Sequence, residues 1–227
     1  MLESRQRPLR TRRALLLFAD SLQTSCARKG WPAAFQSLLA AAHLSFESFE
    51  AAEPFDFHLF TSPGGSRPTH SCQIHVQQGT SFGEKLENAI ATLARLDYRE
   101  IVVVGQDCPD LEPADIRRAF ELLDHHKLVL GPDHRGGCYL IGIHASDRSK
   151  LRGVQWQKNT DFQALRRRFG VENACQLAVK MDLDTWADVR LLAASASRWR
   201  NLAAFLLLSQ SSNGRTVSIA KKRDPIL

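Results

Sequence analysis

The segment that most constrains the fold is a run of four apolar residues at 101–104, which leads directly into Gly105 and the acidic sequence QDCPDL. The run is β-branched and does not alternate with polar residues, so it predicts a strand buried on both faces, as in a parallel sheet. Ligands of such sheets bind beyond the carboxyl ends of the strands, where Asp107 and Asp110 stand. A carboxylate at this place either holds a metal ion or caps a loop, and the segment alone fits both alternatives.

Apolar runs and turn residues elsewhere predict an alternation of strands and helices. Ser81, followed three residues later by Glu84, has the pattern of a capping box at the start of a helix. The order of the elements predicts an α/β protein: a three-layer α/β/α sandwich with a mostly parallel mixed sheet. Strands are expected at 13–19, 55–61, 71–77, 101–105, 127–130, 138–143 and 178–183, and helices at 31–52, 79–96, 112–126, 162–169 and 190–209.

The length of 227 residues suits one substantial domain, expected at 14–209, with basic tails at 1–13 and 210–227. The formal net charge is +6, but residues 1–13 contain five arginines and one glutamate, and residues 215–227 contain four basic residues and one aspartate. The chain between these ends has a net charge of −1. Basic ends without interleaved aromatic residues are typical of solvated arms and do not indicate a nucleic-acid groove.

The five cysteines are scattered and form no CxxC pair, so the sequence indicates neither a zinc site nor a disulfide framework. No stretch approaches the roughly 20 apolar residues of a membrane span. The Arg-rich start leads into the short run ALLLFA, which fits a core strand better than a secretory leader. These features favour a reduced, cytoplasmic setting.

A second acidic strand end, MDLDTWAD at 181–188, follows the first by about 75 residues. The two ends could meet at one edge of the sheet. Mg²⁺ prefers one or two carboxylates together with water and substrate phosphates, so separated aspartates suffice for a site without a dedicated cage. The alternative is that Asp184 or Thr185 is the N-cap of the last helix.

Three segments together resemble a known family: VVGQDCPDL at 103–111, LGPDHRGGCYLIGI at 130–143 and DLDTWADV at 182–189, with QGTSFGEKLENA at 78–89 as a weaker fourth match. The family consists of bacterial glycosyltransferase-A-like proteins related to 2-phospholactate guanylyltransferase. The resemblance covers most of residues 14–195. It implies a nucleotide-diphospho-sugar transferase (GT-A-like) fold, a nucleoside triphosphate or sugar nucleotide as donor, an unidentified small-molecule acceptor, and Mg²⁺ or Mn²⁺.

By position, the resemblance implies that Asp107 and Asp184 are the metal carboxylates. The Gly136-Gly137 turn would lie beside the donor or acceptor, and Gly79 and Gly83 would border the nucleotide. From the residues alone, the paired glycines fit a hairpin equally well.

Departures from the family lie in the same segments. The first strand of the family usually runs into a Pro-Gly turn and a Lys-Thr-Arg-Leu run expected to hold the donor phosphates. Here the corresponding segment is FADSLQTSCARKGWP, in which Arg28 and Lys29 are the remaining cations. Arg135 stands where Asp usually precedes the glycine pair, and Ser81-Phe82 replaces Asp-Leu.

Two functions follow as hypotheses. The first is a metal-dependent glycosyl- or nucleotidyltransferase with a nucleotide-activated donor, in which Asp107, His134 and Arg135 are the candidate catalytic residues. The second is a catalytically impaired member of the same fold that binds a nucleotide, metabolite or partner without turnover. The altered first loop and the charge reversal at Arg135 favour the second hypothesis.

Overall fold

A computed structural model describes residues 12–37, 55–63 and 72–219. A seven-stranded sheet forms its centre, with the strand order β3-β2-β1-β4-β6-β5-β7. β6 pairs antiparallel with β4 and β5, whereas the other neighbours are parallel. The prediction of a mostly parallel mixed sheet is confirmed. The strands are β1 (Arg13–Ala19), β2 (Asp56–Thr61), β3 (Gln73–Val76), β4 (Glu100–Gly105), β5 (Leu128–Pro132), β6 (Cys138–His144) and β7 (Ala174–Gln176).

Helices cover both faces of this sheet. Alternate residues of each strand point to opposite faces, and apolar side chains on both faces pack against helices. On one face Leu16 and Val103 pack with α2 and α4. On the other face Leu15 and Val102 pack with α3. The three-layer α/β/α prediction is therefore confirmed. The helices are α1 (Leu22–Lys29), α2 (Phe82–Arg95), α3 (Pro113–Leu123), α4 (Asp161–Phe169), α5 (Trp186–Ala194) and α6 (Arg200–Ile219).

A separate apolar cluster connects α1 with α5 and α6. Cys26, Trp31 and Phe35 pack there with residues of the two later helices. Leu183 belongs to the same cluster and is fully buried. The acidic segment 182–184 is therefore anchored by its central residue to the helix that follows β1.

Local capping residues explain where several helices begin. Ser81 accepts a hydrogen bond from the Glu84 amide, and the Glu84 side chain accepts one from the Ser81 amide, which confirms the predicted capping box. Thr185 forms the same kind of box with Asp188 at the start of α5. Of the two N-cap candidates in the acidic segment, Thr185 is therefore the correct one.

Helix α1 was not expected from the sequence, although its ends are marked. Ser21 accepts a hydrogen bond from the Thr24 amide, and Gly30 ends the helix with φ +65°. Ser25 and Cys26 are its buried residues. So narrow an apolar stripe gives little helical periodicity to recognise.

The strand predicted at 178–183 is wrong. β7 lies earlier, and after it the segment shows only an isolated parallel bridge between Lys180 and Asp133. The Lys180 amide donates to the Pro132 carbonyl (3.1 Å) and the Leu183 amide donates to the Asp107 carbonyl (2.8 Å). These backbone groups bond to the ends of other strands, so the segment crosses the edge of the sheet.

The single helix predicted at 190–209 is also wrong, since α5 ends at Ala194 and α6 begins at Arg200. Ser195 Oγ donates to the Leu192 carbonyl (2.8 Å), and Ser197 Oγ accepts from the Trp199 amide (3.1 Å). Serine side chains that bond to nearby backbone compete with helical hydrogen bonds, which explains the break.

Other boundaries differ from the sequence analysis. At the start of the described residues, Arg12 donates to Asp56 and Tyr98, and Arg13 lies in β1 and pairs with Glu100 at 2.7 Å. Helix α6 extends past Ser209. The helix expected at 31–52 is represented by a 3-10 turn at Ala33–Phe35, and its remainder from 38 lies outside the described residues, as does most of the turn after β2.

Among the described helices, none combines the length and apolarity that crossing a bilayer requires.

Candidate functional site

A cleft of about 500 Å³ lies at the edge where β1 and β4 end. Phe18 and Ala19 line it from the end of β1, and Gly105 and Asp107 line it from the end of β4. Carboxyl ends of parallel strands are the usual place for ligands in such sheets. The sequence argument that placed Asp107 at this edge agrees with its position.

Asp107 presents two different carboxylate oxygens. Oδ2 lies 3.1 Å from Nζ of Lys29. Oδ1 is buried and has no hydrogen-bond partner among the described residues. Burial raises the pKa of Asp107, and the neighbouring Asp184 adds to this, while Lys29 opposes it. Asp107 therefore has one oxygen in an ion pair and one buried oxygen without a partner among the described residues.

Lys29 is the central cation of the site. Its Nζ lies 2.7 Å from Oδ1 of Asp184 and 2.6 Å from the Leu183 carbonyl oxygen, in addition to its contact with Asp107. The side chain is 4% exposed. Burial disfavours the ammonium, but the two carboxylates outweigh it and raise the pKa of Lys29. The lysine is thus held in its charged form.

Asp182 and Asp184 line the cleft from the segment that crosses the sheet edge. Asp184 is bound on both oxygens, by Lys29 on Oδ1 and by Arg135 on Oδ2. Partial desolvation of this half-exposed carboxyl group is more than compensated by the two cations, which lower its pKa. Asp182 has the opposite behaviour: burial, Asp107 and Asp184 raise its pKa well above the usual range.

Asp188 fixes the orientation of His134 and Arg135. His134 Nε2 lies 2.9 Å from Oδ1 of Asp188, and Arg135 Nη1 donates to Oδ2 at 3.1 Å. The same Oδ2 accepts from the Thr185 amide at 2.7 Å and the Asp184 amide at 3.0 Å. Asp188 is 3% exposed, and it joins the start of α5 to the turn that precedes β6. The sequence analysis did not assign it this role.

The turn between β5 and β6 is shaped by Asp133. Its Oδ1 accepts from the Arg135 amide (2.7 Å) and the Gly137 amide (2.9 Å). Gly136 has φ +101°, and a Cβ there would lie 2.5 Å from the Asn159 carbonyl oxygen. A Cβ on Gly137 would lie 2.4 Å from Oδ2 of Asp133. Both glycines are therefore required by the packing of the turn itself.

An aromatic wall forms the opposite side of the cleft. Phe18 and Phe82 meet edge-to-face at 5.3 Å, and Phe82 lies 5.9 Å from Trp156. Trp156 covers Gly83, where a Cβ would lie 2.8 Å from its ring. Trp156 Nε1 is buried and makes no hydrogen bond within the described part of the chain. An indole N–H in this state is available to an acceptor group of a ligand.

The candidate residues from the sequence occupy different places around the cleft. Asp107, Asp184, Gly137 and Arg28 are among the described residues that line it. Arg28 is half exposed and pairs with Asp20 at 2.8 Å. The remaining candidates lie behind the lining: Gly79 precedes α2, Gly83 and Gly136 support the walls, Lys29 bridges the two carboxylates, and His134 and Arg135 are directed to Asp188 and Asp184.

Several lining residues were missed. Lys85 faces the cleft from α2, and Asp161 faces it from α4. Gln77 bridges the ends of β1 and β2 through hydrogen bonds to the Ala19 and Phe60 carbonyls, both 3.1 Å. The sequence gives only a weak sign of this role, since Gln77 is marked only by its place as the last residue of a predicted strand.

The carboxylate oxygens of Asp107 and Asp184 determine whether a divalent cation fits the site. Asp107 Oδ1 is an unused buried acceptor, which favours a cation, whereas the facing oxygens of Asp107 and Asp184 already hold Lys29. The described residues contain no cluster of three or more His, Cys, Asp or Glu side chains arranged for a metal. The carboxylates therefore fit a cation that also receives ligands from a substrate, and do not form a complete site by themselves.

The sequence profile of a family described as "Uncharacterized protein conserved in bacteria (DUF2064)" matches residues 33–158. No curated protein matches the chain significantly. Among solved structures, a candidate nucleotide-diphospho-sugar transferase from Desulfovibrio desulfuricans G20 is 22% identical, with 90% of this chain and 97% of that chain covered and a TM-score of 0.71.

Two further solved structures are similar in fold. Rv0371C of Mycobacterium tuberculosis H37Rv, in complex with manganese, is 20% identical. The match covers 82% of this chain and 100% of that chain, with a TM-score of 0.57. A 4-diphosphocytidyl-2C-methyl-D-erythritol synthase from Anaerococcus prevotii DSM 20548 is 9% identical. The match covers 80% of this chain and 94% of that chain, with a TM-score of 0.55. These likenesses confirm the nucleotide-diphospho-sugar transferase fold.

Proposed function

The chain belongs to the DUF2064 family of bacterial proteins, and from this premise we propose that it is a glycosyl- or nucleotidyltransferase that binds a nucleotide-activated donor in the cleft. The observation that carries the proposal is the facing pair Asp107 and Asp184 at the floor of a 500 Å³ cleft with an aromatic wall. A cleft of this volume suits a small-molecule ligand. Structures of the same fold include proteins named as a nucleotide-diphospho-sugar transferase and as a 4-diphosphocytidyl-2C-methyl-D-erythritol synthase.

The two sides of the cleft suit the two ends of such a donor. Phe18, Phe82 and Trp156 offer ring faces and an unused N–H to a base or sugar. Arg28 and Lys85 line the cleft and offer cations to phosphate oxygens. These two side chains would take over part of the role that the missing Pro-Gly turn has in the family pattern.

Mg²⁺ or Mn²⁺ belongs to the proposal as a cation bound by Asp107 and Asp184 together with the donor's phosphates. When bound, it neutralises charge that develops on the departing phosphate. The Rv0371C complex with manganese supports a divalent cation in this fold. Asp188 would position the site indirectly, because it orients Arg135, which in turn holds Asp184.

Binding without turnover is the second candidate. It is favoured by the occupation of Asp184 by two cations of the chain, Lys29 and Arg135. Under this alternative the cleft still binds a nucleotide, but no group is transferred. The two candidates differ in product formation and agree on ligand binding.

The test of the proposed function is thermal denaturation with nucleoside triphosphates and sugar nucleotides, each with and without Mg²⁺ or Mn²⁺. A donor at about 100 times its Kd stabilises a protein by about 2.7 kcal/mol, which for this size raises Tm by about 5 °C or more. We expect such a shift in the wild type, and we expect Asp107→Ala to lose the part that depends on the cation. Asp147→Ala is the control, since Asp147 pairs with Lys150 outside the cleft.

Turnover is measured on the same variants by following release of nucleotide or diphosphate from the donor that gives the largest shift. Loss of Asp107 should lower kcat by on the order of 100-fold or more, because charge stabilisation at the reacting group is removed. A shift without product in the wild type supports binding without turnover. Absence of a shift with every nucleotide argues against both candidates.

A further inference from the structure

We propose that Lys29 is the resident cation of the site: its ammonium occupies the position between Asp107 and Asp184 and excludes a divalent metal from the free protein. The inference builds on the proposed role of these two carboxylates. It concerns the protein before any donor binds. It also assigns a function to a helix, α1, that ends with this lysine.

The coordination of Lys29 is complete. An ammonium group has three N–H donors and no acceptor. Nζ has three protein oxygens around it: Asp184 Oδ1 at 2.7 Å, Leu183 O at 2.6 Å and Asp107 Oδ2 at 3.1 Å. All three donors therefore have acceptors within the protein, and each contact to a carboxylate is charge-assisted.

The position of Lys29 is set by structure on both sides. The following Gly30 ends α1 in the left-handed region with φ +65°, and its amide donates to the Ala27 carbonyl. Trp31 then enters the apolar cluster shared with α5 and α6, and its ring lies 5.4 Å from Nζ. The same cluster holds Leu183, which supplies the third oxygen. The lysine and its acceptors thus depend on one packed unit.

Charge balance explains why a cation must occupy this position. Asp107 and Asp184 face the same ammonium, and two like charges this close are stabilised in their ionised forms by a counter-charge between them. Removing one partner of a buried ion pair leaves the other charge uncompensated. Without Lys29 the pair would consist of two oxygen ligands with no cation, which is the arrangement that a hard divalent cation binds.

Arg135 cannot take the place of Lys29. Its guanidinium is engaged by Oδ2 of Asp184 and by Oδ2 of Asp188, whereas Lys29 contacts Oδ1 of Asp184. Among the described residues, the ion pairs of Arg135 are with Asp184 and Asp188, and none joins it to Asp107. A divalent ion reaches the facing oxygens only when Lys29 leaves them, and a phosphate group entering the cleft is the kind of acceptor that can receive the displaced ammonium.

The experiment compares the affinity for Mn²⁺ alone, without nucleotide, of wild type, Lys29→Met and Lys180→Met. Methionine keeps an unbranched chain of similar length and removes the charge. Lys180 is the matched control, because its Nζ also binds a carboxylate, Asp115 at 3.0 Å, and a carbonyl, that of Asp110 at 2.8 Å, with 17% of its side chain exposed. Mn²⁺ binding is read by electron paramagnetic resonance and by Tm in EDTA and in millimolar Mn²⁺.

We expect Lys29→Met to bind Mn²⁺ on the order of tenfold or more tightly than the wild type, and to recover in Mn²⁺ the thermal stability that it loses in EDTA. Lys180→Met should lose stability in both solutions equally. Adding Asp184→Ala to Lys29→Met should abolish the gain in Mn²⁺ affinity, because one of the two ligands is removed. Lys29→Arg, which keeps the charge, should bind Mn²⁺ as weakly as the wild type.

Tight Mn²⁺ binding by the wild type overturns the proposal, and so does a Lys29→Met variant whose response to Mn²⁺ equals that of Lys180→Met. If Lys29→Met folds only when Mn²⁺ is supplied, the proposal is supported. If it folds in neither solution, the titrations of wild type and Lys29→Arg decide. No nucleotide is present, so these results do not depend on whether the cleft binds a donor.

Discussion

His58 is a buried histidine whose ring is held between aromatic neighbours. Its Nδ1 lies 3.1 Å from Nε2 of His75, and Tyr98 meets it edge-to-face at 4.8 Å. His58 Nε2 has no hydrogen-bond partner in the described residues. Burial, with His75 acting in the same direction, lowers the pKa of His58 to about 4. The folded protein therefore holds this ring neutral at pH 7.

This lowered pKa predicts a loss of stability in mild acid. An unfolded histidine takes up its proton near pH 6.5, whereas folded His58 does so only at about 4. The unfolded chain binds more protons between these values, so the free energy of unfolding falls as the pH drops from 6.5 towards 4, by on the order of 3 kcal/mol. Urea denaturation of wild type and His58→Phe across this range measures the effect.

The Phe variant should show a shallower decline with pH than the wild type. His125→Phe is a suitable control because His125 is exposed on the turn after α3. Equal slopes in wild type and His58→Phe would mean that the decline arises from other groups. His75, whose pKa burial also lowers, is the first alternative to substitute.

At the same scale, the sequence predicts the carboxylates of the site better than their partners. Asp107 and Asp184 follow from acidic residues at the expected edge and from the family resemblance. The bond from Lys29 to Asp184 joins residues 155 positions apart, and an ion pair of that separation leaves no local pattern. The grouping of His134 and Arg135 with Asp188 is equally remote in sequence, so their orientation emerges only from the fold.

Among the connecting elements, the turn between β5 and β6 has little room for change. We expect Gly137→Ala to destabilise the protein by about 1–3 kcal/mol, because the new Cβ would lie 2.4 Å from Oδ2 of Asp133 and overpack the turn. Gly105→Ala is the matched control, since a Cβ there meets nothing within 4 Å. Chemical denaturation of both variants measures the difference.

A Gly137→Ala variant as stable as Gly105→Ala would show that Asp133 can move without cost. In that case its hydrogen bonds to the turn amides would not determine the shape of the turn. The same comparison can be repeated with nucleotide present, since Asp133 and Gly137 both line the cleft.

Elements with their own periodicity or caps are predictable, and those formed through distant contacts are not. Buried strands such as β4 and the capping box of α2 follow from neighbouring residues. The crossing segment after β7 takes its backbone bonds from Pro132 and Asp107. The break before α6 is stabilised by Ser197, whose hydroxyl donates to Asp110 at 2.7 Å, and by Trp199, whose Nε1 donates to the Pro109 carbonyl at 2.9 Å. These partners are far apart in the sequence, so a short stretch of sequence does not reveal either set.

For the whole molecule, the uneven distribution of charge predicts that binding to nucleic acid is non-specific. Most of the net positive charge lies near the two ends of the chain. We expect oligonucleotide affinity to be weak, to fall steeply with salt and to vanish when the terminal basic residues are replaced by glutamine. The replaced residues would be Arg5, Arg7, Arg10, Lys221, Lys222 and Arg223. Fluorescence anisotropy at two salt concentrations measures this, and affinity that survives the replacement would locate binding in the body.

The reversed direction of β6 divides the molecule into two halves that differ in how they can evolve. On the β5–β6 side, only residues 133–137 separate the strands, and Asp133, Gly137 and Cys138 line the cleft. On the β1–β2 side, residues 20–55 separate the strands, and lengthening a connection costs little conformational entropy. A lineage that acquires a new substrate is therefore expected to change the β5–β6 side by point substitution and the β1–β2 side by insertion or deletion.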